Sequence, residues 1–338
     1  MYKSGLPLRL RYIPVLLFLM YPAITQAQTD TGTVFRFLDV PTNARVAALS
    51  GNHVALKDAD LSLFQVNPAY LNAYSDRRFS ISYVNYLADA NYGFVNTAYH
   101  LEDIGTLGFG LRYAGYGEFD RLDENNVQNG TFRPGDFALS GAFSRELLPN
   151  VQAGASMDII YSRIDAFTST ALAFSYGLLY RKPDNDLTIG FTVRNLGSQL
   201  STFNGNVEAL PLDVSVGLSH KPRNFPMRLN ILLRRLNEWN QPISSDTAEP
   251  DVITNLFRHV VLGGEIDFSR NLILRAGYNH LRHEQLSTSS NFDFAGVGLG
   301  LGIKFNKFVI DFSRSSYSEL GGIFQISVTS RIKRSNRE

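Results

Sequence analysis

The sequence predicts an all-β protein, a transmembrane antiparallel β-barrel of about 14 strands with an N-terminal hatch segment. Three observations predict it. Beyond Arg77, apolar residues alternate with polar or small ones at a period of two almost throughout. The runs defined in this way are even in number. The connections between them alternate between short and mostly longer.

The chain opens with a different pattern. Lys3, Arg9 and Arg11 give a positive start, Ile13 to Met20 is apolar, and Thr25-Gln26-Ala27 places small residues before a cleavage point. This is the layout of a secretory signal peptide over 1–27, with the mature chain starting near Gln28. The apolar run has roughly half of the ~20 residues that a membrane-spanning anchor needs.

Composition narrows the class. After Gln28 no stretch of apolar residues is long enough for a transmembrane helix, which excludes a helical membrane protein. The 338 residues contain no cysteine, so neither disulfides nor a lipid-modified cysteine is available. Lys plus Arg number 32 against 31 for Asp plus Glu, a balance that does not point to a nucleic-acid partner. The 24 Phe and 16 Tyr suit a strand-rich chain better than a disordered one.

The strands follow in order. In one run Leu187, Ile189, Phe191 and Val193 alternate with Thr188, Gly190, Thr192 and Arg194. In another, Leu212, Val214, Val216 and Leu218 alternate with Asp213, Ser215, Gly217 and Ser219. A third sets Val260, Leu262, Gly264, Ile266 and Phe268 against His259, Val261, Gly263, Glu265 and Asp267, and a one-residue slip there would turn Glu265 outward. The same reading places strands near 77–87, 92–101, 106–117, 136–146, 149–163, 168–182, 187–195, 212–221, 226–236, 256–268, 271–282, 293–305, 307–316 and 321–334. The connections 102–105, 147–148, 183–186, 222–225, 269–270 and the break at Asn306 are short, whereas 118–135, 196–211 and 237–255 are long. Short turns on one rim and long loops on the other are the mark of an outer-membrane barrel.

Closure has a physical cause. In hydrocarbon an unpaired backbone group has no water to turn to, so a sheet survives there only without edges. The apolar positions would face lipid, with Arg112, Asp158, Arg194 and Glu265 in the lumen. Phe79, Tyr83, Phe109, Tyr113, Tyr161 and Tyr278 are candidates for the interfacial aromatic girdles.

Residues 28–76 do not read as strands. Ala44 to Gly51 is rich in small residues, and Asn67-Pro68-Ala69 forces a turn because Pro68 keeps Asn67 out of the helical region. This segment predicts a compact folded plug or a periplasmic cap, placed as a hatch before the barrel over 77–334.

On these residues a family resemblance appears. Phe37-Leu-Asp-Val-Pro-Thr-Asn-Ala-Arg45, Ala47-Ala-Leu-Ser-Gly51, the acidic approach at Asp58 and Asp60, and Asn67-Pro68-Ala69-Tyr70-Leu71 resemble the PorV/PorQ family of FadL-like barrels. The resemblance implies a non-enzymatic component of the type IX secretion system in a Gram-negative outer membrane of Bacteroidetes type. It implies as partners outer-membrane lipid and a protein of the attachment complex, PorZ-like, or PorU-like for a PorV role. It supplies no catalytic residue, cofactor or metal, and it carries Asn67, Pro68 and Ala69 over as structural hatch positions. The alternative is a FadL-like transporter of hydrophobic small molecules.

Three further features have competing readings. Gly296, Gly298, Gly300 and Gly302 alternate with Val297, Leu299 and Leu301 and lack the βαβ setting of a dinucleotide site. They predict a lumen-facing strip that leaves room for the hatch. His280 and His283, read on a strand, point to opposite faces and do not suggest a metal site. Trp239, in a long loop, is a candidate recognition residue or, equally, a loop anchor.

Overall fold

The computed structural model describes residues 33–331, apart from 58–59, 124, 244–245, 247–249, 288–293 and 319–320. The expected signal peptide, Asp58 and the C-terminal tail from 332 lie outside the described residues.

Among the described residues sixteen strands run in chain order: β1 Arg78–Asn85, β2 Asn91–Leu101, β3 Gly105–Gly115, β4 Phe119–Leu122, β5 Gln128–Phe132, β6 Gly135–Leu148, β7 Val151–Ile164, β8 Phe167–Lys182, β9 Leu187–Ser201, β10 Asp213–His220, β11 Met227–Leu233, β12 Val260–Asp267, β13 Leu272–Asn279, β14 Val297–Phe305, β15 Phe308–Ser318 and β16 Gly321–Arg331. Among the described residues, fourteen of them form one closed antiparallel barrel and β4–β5 pair separately as a hairpin. First and last strands close the ring in a continuous register from Phe79 opposite Ser330 to Asn85 opposite Phe324. No edge is left to face lipid.

The side chains are sorted opposite to a water-soluble sandwich. Along β9, Ile189 and Phe191 are exposed on the outside, while Thr192 and Arg194 are buried within. Along β3 and β6 the outer positions are Phe109, Leu111, Phe137 and Leu139, and the inner ones include Arg112 and Ser140. Such a surface is stable against hydrocarbon. Phe79, Tyr83, Phe109, Tyr113 and Tyr161 all lie on this outer face. Tyr278 is half-buried, its ring 6.1 Å from that of His280 and 5.8 Å from that of His283.

The lumen holds the described residues of the segment 33–76. A short helix, Ala44–Ala48, is capped by Asn43, whose side chain accepts from the Val46 amide. One-turn helices follow at Leu61–Gln65, capped by Asp60, at Pro68–Tyr70, capped by Asn67, and at Ala73–Ser75, capped by Asn72. With few residues per turn, side-chain caps and buried wall contacts hold the hatch together. The segment starts at the long-loop rim, where the Val34 amide donates to the Ala209 carbonyl at 3.1 Å, and ends at the opposite rim, where β1 begins.

The long-loop rim departs from expectation. Residues 252–259 are a helix, so β12 starts at Val260 and not at 256. Asp251 caps that helix by accepting from the Thr254 amide. Asn279 similarly diverts the chain into a second helix, His280–Leu286, ending β13 there. The expected loop 118–135 contains the β4–β5 hairpin. In each helix the capping side chain offers the backbone an alternative to the ladder where the barrel wall ends.

Candidate functional site

The candidate site is the contact between hatch and barrel wall. Asn67 has φ −144° and ψ 107°, the extended geometry that the following proline requires. Its side chain accepts from the Ala69 amide at 3.0 Å and donates to the Val54 carbonyl at 2.9 Å, tying two hatch turns together. Pro68 and Asn67 press on β7 and β8 at Gly154 and Gly177, where an added Cβ would stand 2.5 Å from the Pro68 carbonyl carbon and would collide with Asn67 Oδ1.

Glycine clearance of this kind recurs around the wall. Gly190 meets the Val54 backbone, Gly277 the Leu49 backbone, and a Cβ on Gly298 would lie 2.7 Å from the Ala47 carbonyl oxygen. Gly300 faces Ala48 at 2.5 Å. The other two glycines of the run differ. Gly302 faces Asp311 and Arg275 of the wall, and Gly296 lies before β14 at φ 78°, in the left-handed region, against the Asn279 carbonyl and His283. Gly296 is therefore a turn residue and not part of a lumen-facing strip.

Charges cross the same boundary. Hatch Arg45 binds Glu265 of β12 through two hydrogen bonds of 2.9 and 3.0 Å. Arg275 of β13 reaches the same carboxylate at 2.9 Å and Asp311 of β15 at 2.6 Å. Higher in the lumen, Arg194 lies 2.7 Å from Asp213 and 3.5 Å from hatch Asp39, and Arg112 lies 3.1 Å from Asp158. The four residues expected to face the lumen do so, in these pairs. Arg45 was not singled out from sequence, although a lone arginine between Ala44 and Val46 signals a buried charge that must find a partner.

Above the charges, Phe35, Phe37 and Leu38 pack with Val84, Tyr92, Phe94, Leu210 and Ile323 into an apolar cluster. Below them a cavity of ≈ 1110 Å³, lined by Arg45, Lys57, Asp60, Arg181, Arg275, Lys304 and Asp311, opens towards the short-turn rim. Burial lowers the pKa of His53 to about 4, against a ring nitrogen 3.0 Å from the Leu49 carbonyl. Burial also raises that of Tyr70.

At the outer rim Trp239 is half-exposed and stacks on His259, with ring centroids 5.1 Å apart. His280 and His283 sit on a helix and not a strand, so they lie on one side of it, and His280 stands 3.4 Å from Glu284. No group of three or more potential metal ligands occurs among the described residues.

No protein-family model matches the chain, and no curated protein matches it. Solved structures do. A deletion mutant of the TodX monoaromatic hydrocarbon channel aligns at a TM-score of 0.55 and 15% identity, covering 86% of this chain and 99% of that one. A Pseudomonas aeruginosa FadL homologue aligns at 0.50 and 14%, covering 87% and 99%. The fold is that of the FadL-like barrels. The CymD monoaromatic hydrocarbon channel has it too, at 0.55 and 13% over 87% of this chain and 98% of that one. At such identities the FadL-like likeness concerns fold alone.

Proposed function

We propose that this protein is a non-enzymatic, hatch-sealed barrel of the Gram-negative outer membrane, acting as a PorQ-like component of the type IX secretion system. Its partner would be a PorZ-like protein of the attachment complex, and a PorV-like role would substitute a PorU-like one. The observation that carries the reading is the seal. The hatch lies backbone-on-glycine against the wall and is pinned by the Arg45–Glu265–Arg275–Asp311 chain, and the cavity beside it is lined with charge. The charged side chains around this cavity are unlike the predominantly apolar lining of pockets that hold apolar solutes. The sequence resemblance around Arg45 and Asn67 supplies the secretion context.

The structural likenesses lend more support to a second reading, a FadL-like transporter of hydrophobic small molecules, than to the secretion reading. Channels for monoaromatic hydrocarbons share the fold, and the apolar cluster around Phe35 and Phe37 is where a hydrophobic solute would lodge if those side chains moved. Deleting the gene and taking inventory of secreted and surface-attached proteins separates the two. Cargo retained in the periplasm supports the secretion reading. Normal secretion with lost uptake of hydrophobic solutes would overturn it in favour of transport.

A further inference from the structure

The Val252–His259 helix is inside out for a helix in water. Asn255, Arg258 and His259 are buried, whereas Val252, Ile253, Leu256 and Phe257 are exposed along one side. The buried side is fully built. Arg258 holds Asp246 at 2.7 Å and Glu284 at 2.6 Å, Asn255 Oδ1 accepts from the Gln241 amide at 3.1 Å, and His259 meets the Arg234 and Trp239 carbonyls at 2.7 and 3.0 Å. The apolar side is therefore fixed in its orientation.

Two observations say what covers it. The first is continuity with the lipid-facing wall. The Phe257 ring lies 5.9 Å from that of His280, which lies 6.1 Å from Tyr278, and Tyr278 pairs in register with outward-facing Leu262. The second is height. β10, β12 and β13 have eight residues each and β11 has seven, against 14 to 16 in β6, β7, β8 and β9. At ~3.3 Å per residue and a tilt of ~40°, eight residues rise about 20 Å, short of the ~25 Å apolar band that a barrel presents to the bilayer. The helix follows directly at the upper end of this low wall, in front of Val260.

We infer that the Val252–His259 helix lies in the outer-leaflet interface of the membrane, its Val252, Ile253, Leu256 and Phe257 side immersed among lipid chains and completing the apolar belt over β10 to β13. The inference rests on the membrane reading above. An amphipathic helix seated at the boundary of headgroups and acyl chains is the form that such a surface takes in lipid.

The absence of cysteine makes the test direct. Ile253→Cys and Leu256→Cys, each carrying a nitroxide, are compared in phosphatidylcholine vesicles with Leu262→Cys on the belt and Val127→Cys in the β4–β5 turn. Heat-modifiable migration on gels checks that each variant is a folded barrel. The expected result is a several-fold higher ratio of oxygen to nickel-chelate accessibility at 253 and 256 than at 127, close to that at 262. A ratio like that at 127 overturns the inference. Exclusion of both reagents would overturn it too, in favour of a second protein chain on the helix. A water-like ratio at 262 would sink the membrane reading together with it.

Discussion

Removing one partner of a lumenal ion pair is costly, because the charge that remains has lost its water. Glu265 neutralises Arg45 and touches Arg275 as well. Glu265→Gln removes the charge that Arg45 and Arg275 share and is expected to lower stability by roughly 2–3 kcal/mol, read as a shifted midpoint in guanidinium unfolding from vesicles. His53 gives a pH dependence. Its folded pKa of about 4 lies below the ordinary 6.5, so the unfolded chain takes up a proton that the folded hatch refuses. Stability from this group is complete above pH 6.5 and is lost progressively as the pH falls below 6.5 towards about 4. The difference between wild type and His53→Leu in unfolding midpoints at pH 7.5 and 5 measures it, and equal pH dependence in both would refute it.

Among elements, the hatch turns depend on their caps and on the wall's glycines. Asn67→Ala removes the bond from the Ala69 amide and the one to Val54, and should cost about 1–2 kcal/mol, seen as faster proteolysis of the hatch with the barrel intact. Gly298→Trp and Gly300→Trp intrude on Ala47 and Ala48 and should block hatch docking or barrel assembly; a protected hatch in a fully assembled variant would count against the contact. A strand reading overlooks the capped helices of the outer rim because it extends any alternating run. Their signals were present in Asp251 with Val252, Ile253, Leu256 and Phe257 at helical spacing, and in Asn279 before His280.

At the scale of the whole molecule, a closed barrel with a docked plug should not conduct. Removing residues 33–75 takes out the Phe35–Phe37 cluster, Arg45 and the Asn67 turn at once. Planar-bilayer recordings are expected to show little conductance for the full chain and discrete openings for the hatchless one. Conduction by the intact protein would favour the channel reading.

The barrel itself was legible in the linear chain, because the inward and outward faces of a strand follow from a period of two and every strand shares the same lipid on one side. Arg112, Asp158, Arg194 and Glu265 could be assigned to the lumen from parity alone. The hatch was legible as a non-strand through Pro68, since a proline's constraint on its neighbour is local. What each of these residues touches was not. Arg45 and Glu265 are 220 positions apart, and Gly177 meets Asn67 across 110, pairings that closure of the ring decides and that no local pattern encodes. The same holds for Gly296 and the Val252–His259 helix. Where the wall ends, neither lipid nor ladder imposes a period, and only the tertiary structure determines which side of a segment is left facing outward.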